Sequence, residues 1–130
     1  MAAALLLAGC ASPSDQVTDA IDQAVAATAT ARVSLDLDER GRIFRTTSTT
    51  AVEDARREAA DAARTVAEVD ATEESEAGRR AEALDALDEA VRALDAAVDA
   101  LAGVGDPADA ADRVAEAEDA LRALTRAGHP

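Results

Sequence analysis

The chain has 130 residues, with 13 Arg and no Lys against 27 Asp and Glu, a net charge of −14 and one Phe as its sole aromatic residue. That length bounds it to one small domain, and the charge excludes nucleic acid, whose phosphates would repel it, as well as lying flat on an anionic lipid surface, where binding asks for cations on the polar face. Alanine fills 37 positions, so the 48% hydrophobic share overstates the supply of large core side chains, and only modest stability is expected.

The chain opens on an apolar run, Ala2 to Ala8, that leads into Leu7-Ala8-Gly9-Cys10 and the only cysteine. A branched apolar residue, two small residues and then cysteine resembles the lipobox of bacterial lipoproteins. The resemblance implies that residues 1–9 are a signal peptide cleaved before Cys10. It also implies that Cys10 Sγ carries a diacylglyceryl group, and that the mature chain is anchored on the outer face of the cytoplasmic membrane. Small residues suit a peptidase that must fit extended backbone, and the thiol is a soft nucleophile for thioether formation. Two acyl chains give a stable tether where one gives only marginal binding. A full leader carries a basic n-region and an apolar stretch of roughly 7–15 residues. Here no Lys or Arg precedes Cys10 and the run is short, so the leader is read as truncated. Abundant Ala, Arg, Asp and Val without Lys further resembles the codon bias of a high-GC bacterium.

Residues 10–14 read as a lipidated tether, and residues 15–128 carry four apolar seams at helical spacing. The first seam, Val17, Ile21, Ala24, Ala27, Ala31 and Leu35, predicts a helix over about 14–39, with Ser12 at N-cap, Pro13 at N1 and a stop at Gly41. The segment Arg42 to Thr49 is expected to be the longest irregular loop, with Phe44 plugging one end of the fold. The second seam, Val52, Ala55, Ala59, Ala62, Val66 and Val69, predicts a helix over 50–70, opened by a capping box from Thr50 to Glu53. The third, Leu84, Leu87, Val91, Leu94, Val98 and Leu101, is a strict heptad predicting a helix over 73–103. The fourth, Ala110, Val114, Ala117, Leu121 and Leu124, predicts a helix over 107–127, between Asp106-Pro107 and Gly128.

Phase alone would let the second and third helices run together. The missing apolar stripe from Asp70 to Ala83, Gly78, and a cap pair of Asp70 with Glu73 instead place a turn near Asp70. Four helices with short turns predict an all-α, up-down-up-down antiparallel helical bundle, with a three-helix coiled-coil bundle as the alternative. No mature segment is apolar enough to span a membrane.

Residues that could carry chemistry read as structural. Asp36-Leu37-Asp38-Glu39-Arg40-Gly41 begins like a calcium loop, yet Arg40 and Thr47 stand where oxygen ligands belong. The acids Asp85, Asp88, Glu89, Asp95, Asp99, Glu116, Glu118 and Asp119 are expected to face water. Di-metal bundles pair such acids with histidine, and the single His129 is next to last. No internal histidine activates a Ser or Thr, and no Lys serves Schiff-base chemistry. The chain is therefore expected to be no enzyme, with no metal and no cofactor. The expected function is a non-catalytic structural or protein-interaction module of the cell envelope, partnered by the membrane through Cys10 and by an unidentified protein. The alternatives are a soluble coiled-coil adaptor whose lipobox is accidental, and an acidic decoy for cations or cationic peptides.

Overall fold

The computed structural model describes residues 12–128. The lipobox residues Leu7, Ala8, Gly9 and Cys10, and His129, lie outside the described residues. Four helices make up the fold: α1 (Pro13–Glu39), α2 (Arg45–Ala67), α3 (Glu74–Leu101) and α4 (Pro107–Gly128). Each packs on its neighbour in the chain, and α4 closes the ring against α1. Cross-helix pairs run in opposite directions. Arg32 meets Glu118 and Thr125 meets Asp22 between α1 and α4, while Arg56 meets Asp95 and Arg80 meets the Val66 carbonyl between α2 and α3. Arg113 meets Glu89 between α3 and α4. This is the antiparallel four-helix bundle, not the three-helix alternative. Short side chains let α1 and α3 also touch across the diagonal, whereas α2 and α4 do not.

Local signals explain most of the boundaries. The Ser12 hydroxyl accepts from the Asp15 N–H at 3.2 Å, and Pro13 follows at N1, where no N–H is missed. At the end of α1 the Arg42 N–H reaches the Leu37 carbonyl at 2.8 Å and the Gly41 N–H reaches Asp38 at 3.0 Å. This is a Schellman turn, and it needs the positive φ of 66° that Gly41 supplies. Gly103 closes α3 in the same way, with the Val104 N–H on the Asp99 carbonyl at 2.8 Å. Asp106 Oδ1 accepts from the Ala108 N–H at 2.9 Å and opens α4. Pro13 and Ser14, where the expected tether and the expected helix start overlap, are helical.

The largest departure concerns residues 42–49. The loop is shorter than expected: α2 begins at Arg45, so only residues 40–44 separate it from α1, and the Thr50–Glu53 box is not a cap. The hydroxyl run is compatible with helix because Thr49 and Thr50 donate back to the carbonyls of Arg45 and Thr46, at 2.9 and 3.0 Å. Ser48 is buried and donates to the Ser34 carbonyl of α1 at 3.2 Å, which carries the α1–α2 contact almost to the turn. Phe44 does not plug the bundle; it sits at the N-cap of α2 with 82% of its surface exposed. The expected turn between α2 and α3 is present at residues 68–73. Glu73 takes the N-cap position there without a side-chain cap, so the Asp70–Glu73 pair does not open α3.

The interior is a continuous small-residue core. The first and second seams are buried as expected, with Leu35 only half-buried, and the fourth is buried through Leu121. In α3 the row Leu87, Leu94 and Leu101 is buried, but its companion row is Ala83, Ala90 and Ala97, while Leu84, Val91 and Val98 are only partly covered. The helix is turned so that the row one position before Leu84, Val91 and Val98 faces inward beside the shared Leu87, Leu94 and Leu101 row. It meets α2, α4 and the diagonal α1 at once, so its alanines take the close central positions and its flanking Leu and Val cover the shoulders.

Candidate functional site

The alternation of the helices gives the bundle two unlike ends. The base gathers the start of α1, the turn at 68–73 and the end of α4; the tip gathers the turns at 40–44 and 102–106. Two arginines tie the base. Arg80 reaches back to the Val66 and Ala67 carbonyls at 3.1 and 2.6 Å, satisfying the open C-terminal end of α2. Arg79 donates to Thr18 Oγ1 at 2.6 Å, and its guanidinium packs so close to Gly128 that a Cβ there would collide with it. These contacts join α3 to α2, α1 and α4.

At the tip Arg45 has the matching task. Its Nη2 lies 3.0 Å from Asp38 Oδ2 and its Nε 3.3 Å from Oδ1, while Nη1 donates to the Leu101 carbonyl at 3.4 Å. One guanidinium therefore holds the ends of α1 and α3 together. The calcium-like sequence Asp36–Gly41 is consumed by this arrangement: Asp36 and Asp38 lie in α1 and pair with Arg40 and Arg45. Beside Arg45 a cavity of about 290 Å³ opens between the ends of α1, α3 and α4.

A third feature lies at mid-height between α1 and α4. Glu118 was expected to face water, but it is 2% exposed. Its Oε1 accepts from Arg122 at 2.8 Å, and Arg32 Nε lies 2.7 Å from Oε2 as an ion pair without hydrogen-bond alignment. Both arginines keep about half of their side-chain surface in solvent, so their stems lie along the bundle while the carboxylate points inward. The sequence held a signal for this: position 118 is four after Val114 and three before Leu121, which puts it on the buried stripe, with Arg122 one turn later. The other acids do lie outward or half-covered, and several are engaged in surface ion pairs such as Arg56–Asp95 and Arg92–Glu89. Among the described residues no group of three or more His, Cys, Asp or Glu is placed to hold a metal, and no helix is long and apolar enough to cross a membrane.

The fold and these three features define a small acidic four-helix bundle. Comparison with known protein families, curated proteins and solved structures finds no match.

Proposed function

We propose that the protein is a lipid-anchored module of the cell envelope, held on the outer face of the cytoplasmic membrane through Cys10 and acting on other proteins by presenting its surface, without catalysis. The observation that carries the reading is the Leu7-Ala8-Gly9-Cys10 sequence, three residues before the helical start at Pro13. A bundle tethered there has its base toward the bilayer. Its tip then stands about 40 Å away, the length of a 27-residue helix at about 1.5 Å per residue. The acidic turn with Glu68, Asp70, Glu73 and Glu74 belongs to the base and disfavours collapse onto anionic headgroups, which keeps the tip presented. The non-catalytic part of the reading is supported by composition: the one thiol is assigned to lipid, no Lys exists, and no His occurs between residues 12 and 128.

The test is lipid attachment in the native host. The mature protein is expected in the detergent phase, with an N-terminal peptide whose mass shows acylated Cys10. Cys10→Ala is expected to release the protein or leave an uncleaved precursor. An unmodified Cys10 thiol in the membrane-free fraction would replace this reading with the soluble adaptor.

A further inference from the structure

Among the described residues the exposed large apolar side chains are Val33, Phe44 and Val104, at 54, 82 and 63%. Phe44 and Val104 stand on the two tip turns, and none of the three is at the base. The same end holds the cavity of about 290 Å³, floored by Leu35, Leu101, Ala108 and Ala111, with Asp38 and Arg45 at its edge. That volume lies near the lower limit of ligand pockets, roughly 300 Å³, and accommodates one large apolar side chain. Exposed apolar side chains and a cavity at the same end of the bundle mark an interaction surface.

Charge selects the occupant. Arg40 pairs with Asp36 and Arg45 with Asp38, so these two arginines are neutralised within the tip. Among the described residues of the tip, Glu39, Asp99, Asp106 and Asp109 make no ion pair, against Arg42 alone of the tip arginines. Of these acids Glu39 lines the socket itself, while Asp99 lies in the groove beside Arg56 and Arg57, so the tip carries surplus carboxylate with one unpaired acid at the socket. A second copy, itself at −14, brings the same sign of charge, and an anionic lipid surface is repelled for the same reason. We infer that the tip is the docking socket for a basic segment of a partner protein. A Leu- or Phe-sized side chain of that segment seats on Leu35, Leu101 and Ala108, and its Lys or Arg residues meet Glu39 at the socket and the negative potential of the surrounding tip. This inference rests on the reading of the protein as an interaction module and names the face and the partner chemistry for it.

The test uses the full chain carrying Cys10→Ser, which removes the lipid and separates the result from the anchoring question. The ¹⁵N-labelled protein is titrated with a synthetic heptapeptide of one Leu flanked on each side by three Lys. Amide shifts are expected at residues 35–45 and 99–111. Affinity is expected to fall as salt rises and to drop about tenfold when the peptide Leu becomes Ser, the change of about 1.4 kcal/mol that a seated apolar group supplies. Ala111→Leu fills the socket and is expected to weaken binding by a similar factor at unchanged helix content. Ala108→Leu, exposed on the first turn of α4, repeats the experiment should Ala111→Leu perturb the fold. Four results overturn the inference: no shift at millimolar peptide, equal binding of a peptide with Glu in place of Lys, shifts spread along the outer faces of α3 and α4, or undiminished binding by both filled variants. Tip shifts that depend on protein concentration alone would assign the face to a second copy. Flotation with phosphatidylglycerol vesicles that is lost in Phe44→Ser would assign it to lipid. Loss of the inference leaves acylation of Cys10 to stand or fall by its own measurement.

Discussion

The middle of the bundle and its tip are made from the same residue types and treat them in opposite ways. At mid-height the largest side chains, Leu87, Leu94 and Leu121, are fully buried among alanines, and even a carboxylate is drawn inside. At the tip the chain's one aromatic ring is left in water, and a cavity stands open at the same end. The difference shows where this sequence spends its few large apolar groups. With a core built chiefly from Ala, each Leu in the middle is needed for close packing, whereas Phe44 and Val104 contribute nothing to the interior and are free for another task.

Leu94→Ala strikes the first half of that contrast and should have the largest effect. Leu94 is 0% exposed, and its truncation is expected to destabilise by about 2–5 kcal/mol, read as a lowered midpoint in urea unfolding at unchanged slope. A change within error would place the middle of α3 outside the cooperative core. Phe44→Ser strikes the second half and should have the smallest. Because the ring is already solvated, stability is expected to stay within about 0.5 kcal/mol of the parent. A loss above about 1 kcal/mol would mean that Phe44 packs against the bundle in solution and that the two regions are less unlike than the structure describes.

The four-helix architecture was legible because seams and caps agree. Ser12-Pro13, Gly41, Gly103 and Asp106-Pro107 all perform the tasks their chemistry suggests. The start of α2 was not legible, for a definite reason. Thr and Ser side chains can bond either to cap positions or back to a carbonyl four residues earlier, and local sequence does not distinguish the two. Only contact with α1, made by buried Ser48, settles the choice for the helix. Phe44 misled because an aromatic residue in an Ala-rich chain invites a core role, yet its fate depends on a Schellman turn that aims it outward. The candidate site was less visible than the fold. The tip cavity joins residues 35–45 to residues 100–111, a juxtaposition that no local spacing encodes. Glu118 was misassigned by residue type although its position lay on the seam.

Glu118 has a consequence for how α4 finds its place. A seam of alternating Ala and medium-sized apolar residues fits its neighbours almost equally well after a slip of one turn, since one small side chain substitutes for another. A buried carboxylate resists that slip: moved by about 5.4 Å it would keep Arg122 of its own helix but leave Arg32 behind, losing the cross-helix half of its compensation in an apolar interior. The ion-paired glutamate thus acts as an index mark that penalises wrong alignments more than it strengthens the right one. Glu118→Leu should then give a bundle as stable as the parent, or more so, whose amide spectrum shows more than one set of α4 resonances. A single sharp set would mean that the helix ends, through Asp106 and the Arg79–Gly128 contact, already hold the alignment alone.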